Sequence, residues 1–548
     1  MRLRSAKWAT GIALCLLAAS LSALALSAEL KPPLSVRWVY SMGQEAGRAK
    51  PPVVASNHVY VSHAGKLRCL DPITGAELWR FDPKTGSVCT RPVVFNDLVI
   101  VGADDSTVYA VNASDGKQVW DQPCAGPVGG DPIILNGLLM FGAQEMIYAI
   151  EPATGQLKWI TSITAPVREG PLTDGSMLYF LCQDGSVQCV DAGEGRFRWA
   201  TLLRTGPNVF PPALADGRVI VAGGTTLSAV SRTGAISWTA DMPVGIAGAP
   251  ALIGDGLYVP SVGDSGGQSA VTYISPNQVS SLTGVIRVLF PRSGREQRTA
   301  LYAVSGSATS PPLLRDATLY EGTSNAVIYA LSQETGAVLW TYRCLAPDQS
   351  LDAASTSGIY SPLESLNSSL YTITGAGDLY CFSSGAPDFS GPVFTSMKPE
   401  SSDALPGREP VNVKFAIVDS GSGVDPSTIQ ATFDGAPVDV EYDVPSGKAA
   451  FHIRSPKDGV HVVKASAKDW RGNLSSDEWS FLTDASIKAA PSTTQAGGTG
   501  SQRRGGAGAG GGRGGGGRGG AGGGRGGGGR GGGGGGRGGG GGRGGRRG

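Results

Sequence analysis

Short apolar runs separated by turn residues fill most of the chain between residues 36 and 385. Two examples are RPVVFNDLVIVGADDSTVYAVN and DPIILNGLLMFGAQEMIYAIE, in which apolar stretches alternate with Asn, Asp and Gly. Short runs that are broken by such turn residues are typical of antiparallel strands. The pattern therefore predicts an all-β protein.

One string closes each group of three predicted strands and returns at regular intervals. It reads CLDPITGAELW at 69–79 and has the form small-x-Asp-x-x-Thr-Gly-x-x-x-Trp. Three strands and the Trp-bearing segment give one four-stranded sheet of about 40 residues, which is the size of a propeller blade. Further versions of the string lie at 110–120, 149–159, 189–199, 229–238 and 330–340.

The string has a physical role in docking one blade on the next. The Gly can adopt the positive φ of a tight turn, and the Asp or Asn side chain can accept hydrogen bonds from the amides of that turn. The Trp then presents a large apolar face to the neighbouring blade, and the small residue leaves room for its ring. The predicted docking residues are Trp38, Trp79, Trp120, Trp159, Trp199, Trp238 and Trp340.

This pattern resembles the quinoprotein-type, or PQQ-like, β-propeller repeat with its tryptophan-docking motif. We expect an eight-bladed PQQ-like β-propeller over residues 36–385. Six blades carry the motif, a degenerate one runs from 249 to 305 around an insertion at 264–297, and the last lies at 361–385. The segment around Trp38 would supply the missing outer strand of the last blade and close the ring. If the degenerate unit were only a loop, the ring would have seven blades.

The regions on either side of the predicted ring differ from it in composition. Residues 1–28 combine a basic start with an apolar run that ends in small residues, as in a cleaved export signal, and an uncleaved membrane anchor is the alternative. After a Pro/Ser-rich linker at 386–410, residues 411–484 alternate apolar and polar positions and are predicted to form a β-sandwich. Their turn phrases resemble those of bacterial Ig-like domains. Residues 485–548 are Gly with regularly spaced Arg and are predicted to be a disordered tail.

The charges are divided unevenly along the chain. The net charge of +1 conceals three positive charges in the first 28 residues and ten in the last 50, which leaves −12 for the residues between them. A basic tail on an acidic body favours binding of the tail to an anionic polymer. The predicted polyanion-binding residues are Arg503, Arg504, Arg513, Arg518, Arg525, Arg530, Arg537, Arg543, Arg546 and Arg547.

Few residues indicate catalytic chemistry. The chain has four His, no adjacent Cys pair and no Cys-x-x-Cys-His haem site. The PQQ-dependent dehydrogenases that the ring resembles need Ca²⁺ ligands and often carry such a Cys pair. We therefore predict no catalytic residue, no cofactor, no metal site and no disulfide. In the sandwich, Asp419, Asp425, Asp469 and Asn473 could form a Ca²⁺ site, but turn formation is the favoured interpretation.

Binding is the remaining role. The residues just before each blade's first strand are expected at the mouth of the central channel, and the candidates for binding a partner are Lys50, Arg91, Asp131, Arg168, Glu169, Phe210 and Tyr360. The ring is similar to the propeller lipoproteins of the outer-membrane β-barrel assembly machinery, although it lacks a lipid-attachment box and carries two extra C-terminal regions.

These observations predict an exported, non-enzymatic, monomeric protein of the periplasm, cell surface or extracellular space. No segment that follows the signal is long and apolar enough to span a bilayer. The propeller would bind a protein partner of the envelope, the sandwich would serve as a spacer and the tail as an electrostatic tether. The alternatives are an adhesin that binds a polyanion or a polysaccharide and, less favoured, a PQQ-dependent dehydrogenase.

Overall fold

The computed structural model describes residues 29–43, 50–204, 210–242, 244–262, 284–289, 296–344 and 358–487, with the backbone alone for 284–289 and 296–303. The predicted signal and the predicted tail from residue 488 onward lie outside the described residues. The described elements are strands, apart from one 3-10 turn at Pro426–Thr428. No helix in this part of the chain is long and apolar enough to cross a membrane.

Thirty-two strands form eight four-stranded sheets, which are the blades of an all-β propeller. The first strand, β1 (Ser35–Ser41), belongs to the last blade, and blades 1 to 7 follow it in chain order. Blade 1 is β2–β5 (Val53–Ala55, His58–His63, Lys66–Leu70, Glu77–Phe81), blade 2 is β6–β9 (Val93–Phe95, Leu98–Gly102, Thr107–Asn112, Gln118–Pro123), blade 3 is β10–β13 (Val128–Leu135, Leu138–Ala143, Met146–Ile150, Leu157–Ser162) and blade 4 is β14–β17 (Val167–Thr173, Met177–Cys182, Ser186–Asp191, Phe197–Leu202).

The second half of the ring is built in the same way. Its strands pair antiparallel, in the order in which they occur, except in blade 8. Blade 5 is β18–β21 (Ala213–Ala215, Arg218–Gly223, Thr226–Ser231, Ile236–Asp241), blade 6 is β22–β25 (Ala251–Ile253, Gly256–Val262, Gly284–Leu289, Glu296–Val304), blade 7 is β26–β29 (Leu313–Arg315, Thr318–Gly322, Val327–Ser332, Val338–Arg343), and blade 8 combines β30–β32 (Glu364–Leu366, Ser369–Ile373, Asp378–Ser383) with β1.

The ring closes through the N-terminal strand, as the sequence predicts. β1 pairs antiparallel with β32, so that Trp38 lies opposite Cys381. The degenerate unit is a complete blade, and the ring therefore has eight blades and not seven. Its third strand, β24, lies inside the segment 264–297 that was predicted to be an insertion.

The Trp of the repeat contacts the next blade. Trp79 lies directly opposite the small residue Cys69, and its Nε1 donates to Ala113 O of blade 2 at 2.9 Å. Gly116 in the same turn has a φ of +68°, and a Cβ there would lie 2.5 Å from the Trp79 ring. The Trp159 ring packs on Gly195 of blade 4 with the same geometry, since Gly195 has a φ of +71° and its added Cβ would lie 2.5 Å from that ring. The other indole donors to the next blade are Trp38 to Pro72 O, Trp120 to Pro152 O and Trp199 to Arg232 O.

A β-sandwich follows the ring. Its sheets are β33-β35-β39-β38 and β34-β41-β40-β36-β37, and they share one apolar core that includes Phe415 and Trp479. Two of its strands, β33 and β34, lie in the segment 386–410 that was predicted to be a linker. Both are short edge strands, and edge strands tolerate the Pro and Ser residues that are also typical of linkers. The strands are β33 (Val393–Lys398), β34 (Ala404–Pro406), β35 (Val411–Val418), β36 (Gln430–Phe433), β37 (Ala436–Val438), β38 (Glu441–Asp443), β39 (Lys448–Ile453), β40 (Gly459–Lys468) and β41 (Leu474–Asp484).

Candidate partner-binding site at the channel mouth

A cavity of about 860 Å³ lies where the blades converge. Residues that precede or begin the first strand of every blade line it, from Lys50 in blade 1 to Tyr360 and Pro362 in blade 8. Only the axis of a ring is within reach of all its blades, so the cavity marks the mouth of the central channel. It brings together all seven residues that the sequence places at the mouth: Lys50, Arg91, Asp131, Arg168, Glu169, Phe210 and Tyr360.

Lys50 and Asp131 form an ion pair across the mouth. Lys50 Nζ of blade 1 lies 2.9 Å from Asp131 Oδ1 of blade 3, and the backbone N–H of Arg91 donates to the same oxygen at 2.9 Å. Burial by itself lowers the pKa of Lys50. The negative charges of Asp131 and Glu169 together outweigh burial, so the pKa of Lys50 lies above its usual value. Lys50 therefore stays protonated at neutral pH.

A second ion pair involves a residue that the sequence analysis misses. Arg91 Nη2 of blade 2 donates to Glu364 Oε1 of blade 8 at 2.7 Å. Burial raises the pKa of Glu364, and the guanidinium opposes that shift. The sequence does contain an indication of this role. Each blade begins with a Pro just before or within its first strand, the entry Pro, and Glu364 lies two residues after the entry Pro of blade 8, where most other blades carry an aliphatic residue.

The other predicted residues differ in what they offer to a partner. Arg168 is exposed, Glu169 is half-buried, and Tyr360 is 41% exposed. Phe210 is only 5% exposed because it packs into the core of blades 5 and 6, so its ring supports the wall and presents little surface.

Among the described residues of the mouth the charges balance, and the two halves of this lining differ. When Glu364 is included, three basic side chains face three acidic ones, and all of them belong to blades 1 to 4 and 8. The half from blades 5 to 7 is apolar or weakly polar, with Pro211, Ile246 and Ala249 among its lining residues. Balanced charges of this kind give the described part of the mouth little net electrostatic attraction for a polyanion.

A separate acidic cluster lies in the turns that flank the sandwich. Among the described residues, Asp388, Asp419 and Asp469 are the one group of three His, Cys, Asp or Glu side chains whose ligand atoms lie within 4.8 Å of one another. Asp419 Oδ2 accepts hydrogen bonds from the N–H groups of Gly421 and Gly423, and Asp469 accepts from the Asn473 N–H. Asp425 accepts from the Ser427 N–H. These bonds support the turn-forming interpretation of these carboxylates.

The cysteines are apolar packing residues. All seven in the described part of the chain are free thiols. Burial raises the pKa of Cys69 and Cys189 to about 12, so these thiols stay protonated at neutral pH. They occupy the small-residue position opposite Trp79 and Trp199 and behave as small hydrophobic side chains. The ten Arg residues of the predicted polyanion-binding tail lie outside the described residues.

The fold and the repeat have known relatives. The chain is 32% identical over 136 residues to outer membrane protein assembly factor BamB of Burkholderia pseudomallei, covering 24% of this chain and 35% of that protein. It is 22% identical over 233 residues to BamB of Yersinia pestis, covering 37% and 59%. It is also 27% identical over 149 residues to quinohemoprotein alcohol dehydrogenase ADH IIB of Pseudomonas putida, covering 23% and 22%. The matches thus span between about a fifth and three fifths of these relatives' lengths.

Among solved structures, BamB from Moraxella catarrhalis matches with a TM-score of 0.46 and 12% identity, over 65% of this chain and 99% of that one. The family model described as outer membrane protein assembly factor BamB matches residues 63–145 and 136–342. Since the two matches of the family model together span residues 63–342, half of the chain, the chain belongs to this family of PQQ-like propeller repeat proteins.

Proposed function

We propose that this protein is an exported, non-catalytic scaffold of the cell envelope whose propeller binds a protein partner at the channel mouth. The observation that carries the proposal is the mouth itself, where exposed Arg168 and Tyr360 lie beside a neutral, half-apolar cavity shared by all eight blades. The names of the BamB relatives, which describe assembly of outer membrane proteins, support a role in the envelope.

A quinoprotein dehydrogenase is the competing function, because dehydrogenases of that class are also among the relatives. The donor set at the mouth does not fit a quinone held by Ca²⁺. Two of its three carboxylates, Asp131 and Glu364, already face Lys50 and Arg91 at 2.9 and 2.7 Å. We therefore expect that pyrroloquinoline quinone with Ca²⁺ neither raises the melting temperature nor supports dye reduction with alcohols or sugars. Turnover under these conditions would refute the non-catalytic assignment.

The basic tail is proposed to act separately as an electrostatic tether. Its ten Arg residues, with no acid among the last 50 residues, would bind anionic polymers through counterion release. Such binding weakens steeply with salt, whereas binding by a neutral, partly apolar mouth changes little.

The test of the proposal uses this difference in salt dependence. Full-length protein is sedimented with isolated envelopes at high salt, where the tail contributes little. The double variant Arg168→Glu/Tyr360→Ala should lose most of the bound fraction. The control Arg196→Glu/Leu202→Ala changes exposed residues of blade 4 away from the mouth and should sediment like the unmodified protein. Equal binding by both variants would contradict the proposal.

A further inference from the structure

Blade 8 lacks the turn on which the preceding Trp would dock. In blades 1 to 5 the Gly of the turn between the third and fourth strands packs against the Trp of the preceding blade. In four of these blades a carbonyl of the turn also accepts a hydrogen bond from the indole N–H, as Ala113 O does from Trp79. Blade 8 has no such turn, because its third strand is β32 and its fourth strand is β1, at the other end of the propeller sequence. Trp340 of blade 7 is nevertheless fully buried.

A turn of the sandwich lies in the place of the missing turn. Trp340 Nε1 donates to Ser422 O at 2.8 Å, which is the same type of bond that Trp38, Trp79, Trp120 and Trp199 make to the next blade. Gly423 has a φ of +86°, as the Gly residues of the blade turns do, and a Cβ there would lie 2.7 Å from Thr341 O. The Tyr342 hydroxyl donates to Ser420 O at 3.2 Å. The sandwich turn thus approaches blade 7 as closely as a blade turn does.

The sandwich also holds the two strands that close the ring. The Val36 N–H of β1 donates to Gly421 O at 2.9 Å. Arg471 Nε donates to Ser35 Oγ at the start of β1, at 3.1 Å, and Arg471 Nη2 donates to Ser384 O just after β32, at 2.7 Å. One side chain therefore bridges the first and the last strand of the propeller.

Apolar packing accompanies these bonds. Trp470, beside Arg471, packs against the core of blades 7 and 8, which contains Trp340, Tyr342 and Phe382. The contact between the sandwich and the ring therefore combines hydrogen bonds with burial of aromatic surface, both of which stabilise a docked state.

We propose that docking of the sandwich stabilises the closed form of the ring. The turn at 419–423 substitutes for the missing turn of blade 8, so closure of the propeller and docking of the sandwich are one cooperative event. This role differs from that of a spacer, which would leave the ring closed and stable by itself. It is also independent of what the channel mouth binds.

The test is amide hydrogen exchange in the full-length protein carrying Gly423→Val. The added side chain meets Thr341 O, so we expect exchange in β1 and β32 to rise by about tenfold or more while β11 and β12 of blade 3 stay protected. Gly435→Val is the matched control, because Gly435 has a φ of +81° and no atom lies within 4 Å of its added Cβ. It should leave exchange in β1 and β32 unchanged.

A second variant covers the case in which Gly423→Val fails to fold. Arg471 is exposed, so Arg471→Ala removes the bonds to Ser35 and Ser384 without opening a core. We expect about tenfold faster exchange in β1, as the loss of two charge-assisted hydrogen bonds predicts. Unchanged protection of β1 and β32 in Arg471→Ala would overturn the proposal and leave the sandwich as a spacer.

Discussion

Gly116 meets two requirements at a single position. Its φ is +68°, and an added Cβ would lie 2.5 Å from the Trp79 ring. Gly116→Ala should therefore lower the free energy of unfolding by about 2–4 kcal/mol through backbone strain and displacement of the ring. Gly137→Ala is the control, since Gly137 has a φ of +78° with no atom within 4 Å of its added Cβ, and it should cost about 1 kcal/mol. Equal shifts of the two urea denaturation midpoints would contradict the docking role.

Asp419 makes the stability of the sandwich turn dependent on pH. Its pKa is raised to about 6, chiefly by burial and also by Asp388 and Asp469, while the N–H groups of Gly423 and Gly421 oppose the shift. The folded state therefore binds this proton more tightly than the unfolded chain, whose Asp pKa is about 4. Stability from this group is present below pH 4 and is lost as the pH rises through about 6.

We expect the urea midpoint to fall between pH 5 and pH 7.5 by an amount equivalent to about 1 kcal/mol from this group. Asp419→Asn should reduce that fall, because an amide keeps the acceptor oxygen for Gly421 and Gly423 and does not ionise in this range. The comparison is made with a chelator present, so that divalent cations do not contribute. The same pH dependence in the variant and in the unmodified protein would contradict this account of Asp419.

At the scale of the elements, ion pairs connect blades that are not neighbours. Arg91 of blade 2 reaches Glu364 of blade 8, past blade 1. Arg91→Gln should destabilise the propeller by about 1–3 kcal/mol, because it leaves a half-buried carboxylate without its cation. The loss should shrink as the pH falls and Glu364 takes up a proton. In a double-mutant cycle with Glu364→Gln, the two substitutions should be non-additive; additive losses would show that the pair does not hold these blades together.

Most of the ring could be predicted from the sequence because each blade repeats the same local requirements. The Thr-Gly turn, the Trp and the small residue opposite it recur at fixed spacing. The segment around Trp38 could be placed because only the last blade lacks an outer strand with which it can pair. The third strand of blade 6 carries no such motif, so its residues 284–289 were predicted to be part of an insertion. β33 and β34 escaped prediction because sheet edges tolerate the Pro and Ser that are also typical of linkers.

The mouth could be predicted only in part, because position along the chain does not determine pairing across the axis. The entry Pro of each blade correctly marked seven lining residues. It could not show that Lys50 faces Asp131 or that Phe210 turns into the core, since both depend on how eight blades converge. The contact between Trp340 and Ser422 was equally beyond sequence reasoning, because 82 residues separate the two positions.

At the scale of the whole molecule, the proposed binding modes should separate by salt. The neutral mouth should bind with little salt dependence, and the Arg-rich tail should bind strongly only at low salt. We expect residues 29–498 to sediment with envelopes less than residues 29–548 at low salt and equally at high salt. A loss of all binding on truncation, at both salt concentrations, would show that the tail alone attaches the protein.

The central claim is that a protein partner occupies the channel mouth, and site-specific photocrosslinking in living cells tests it most directly. A benzoylphenylalanine in place of Tyr360, which is 41% exposed at the mouth, should give a discrete crosslinked protein. The same group in place of Leu202, which is 66% exposed on the outer strand of blade 4, should not give this product. Adding Arg168→Glu should weaken the crosslink at 360. No crosslink at 360, or the same product from both positions, would contradict the account.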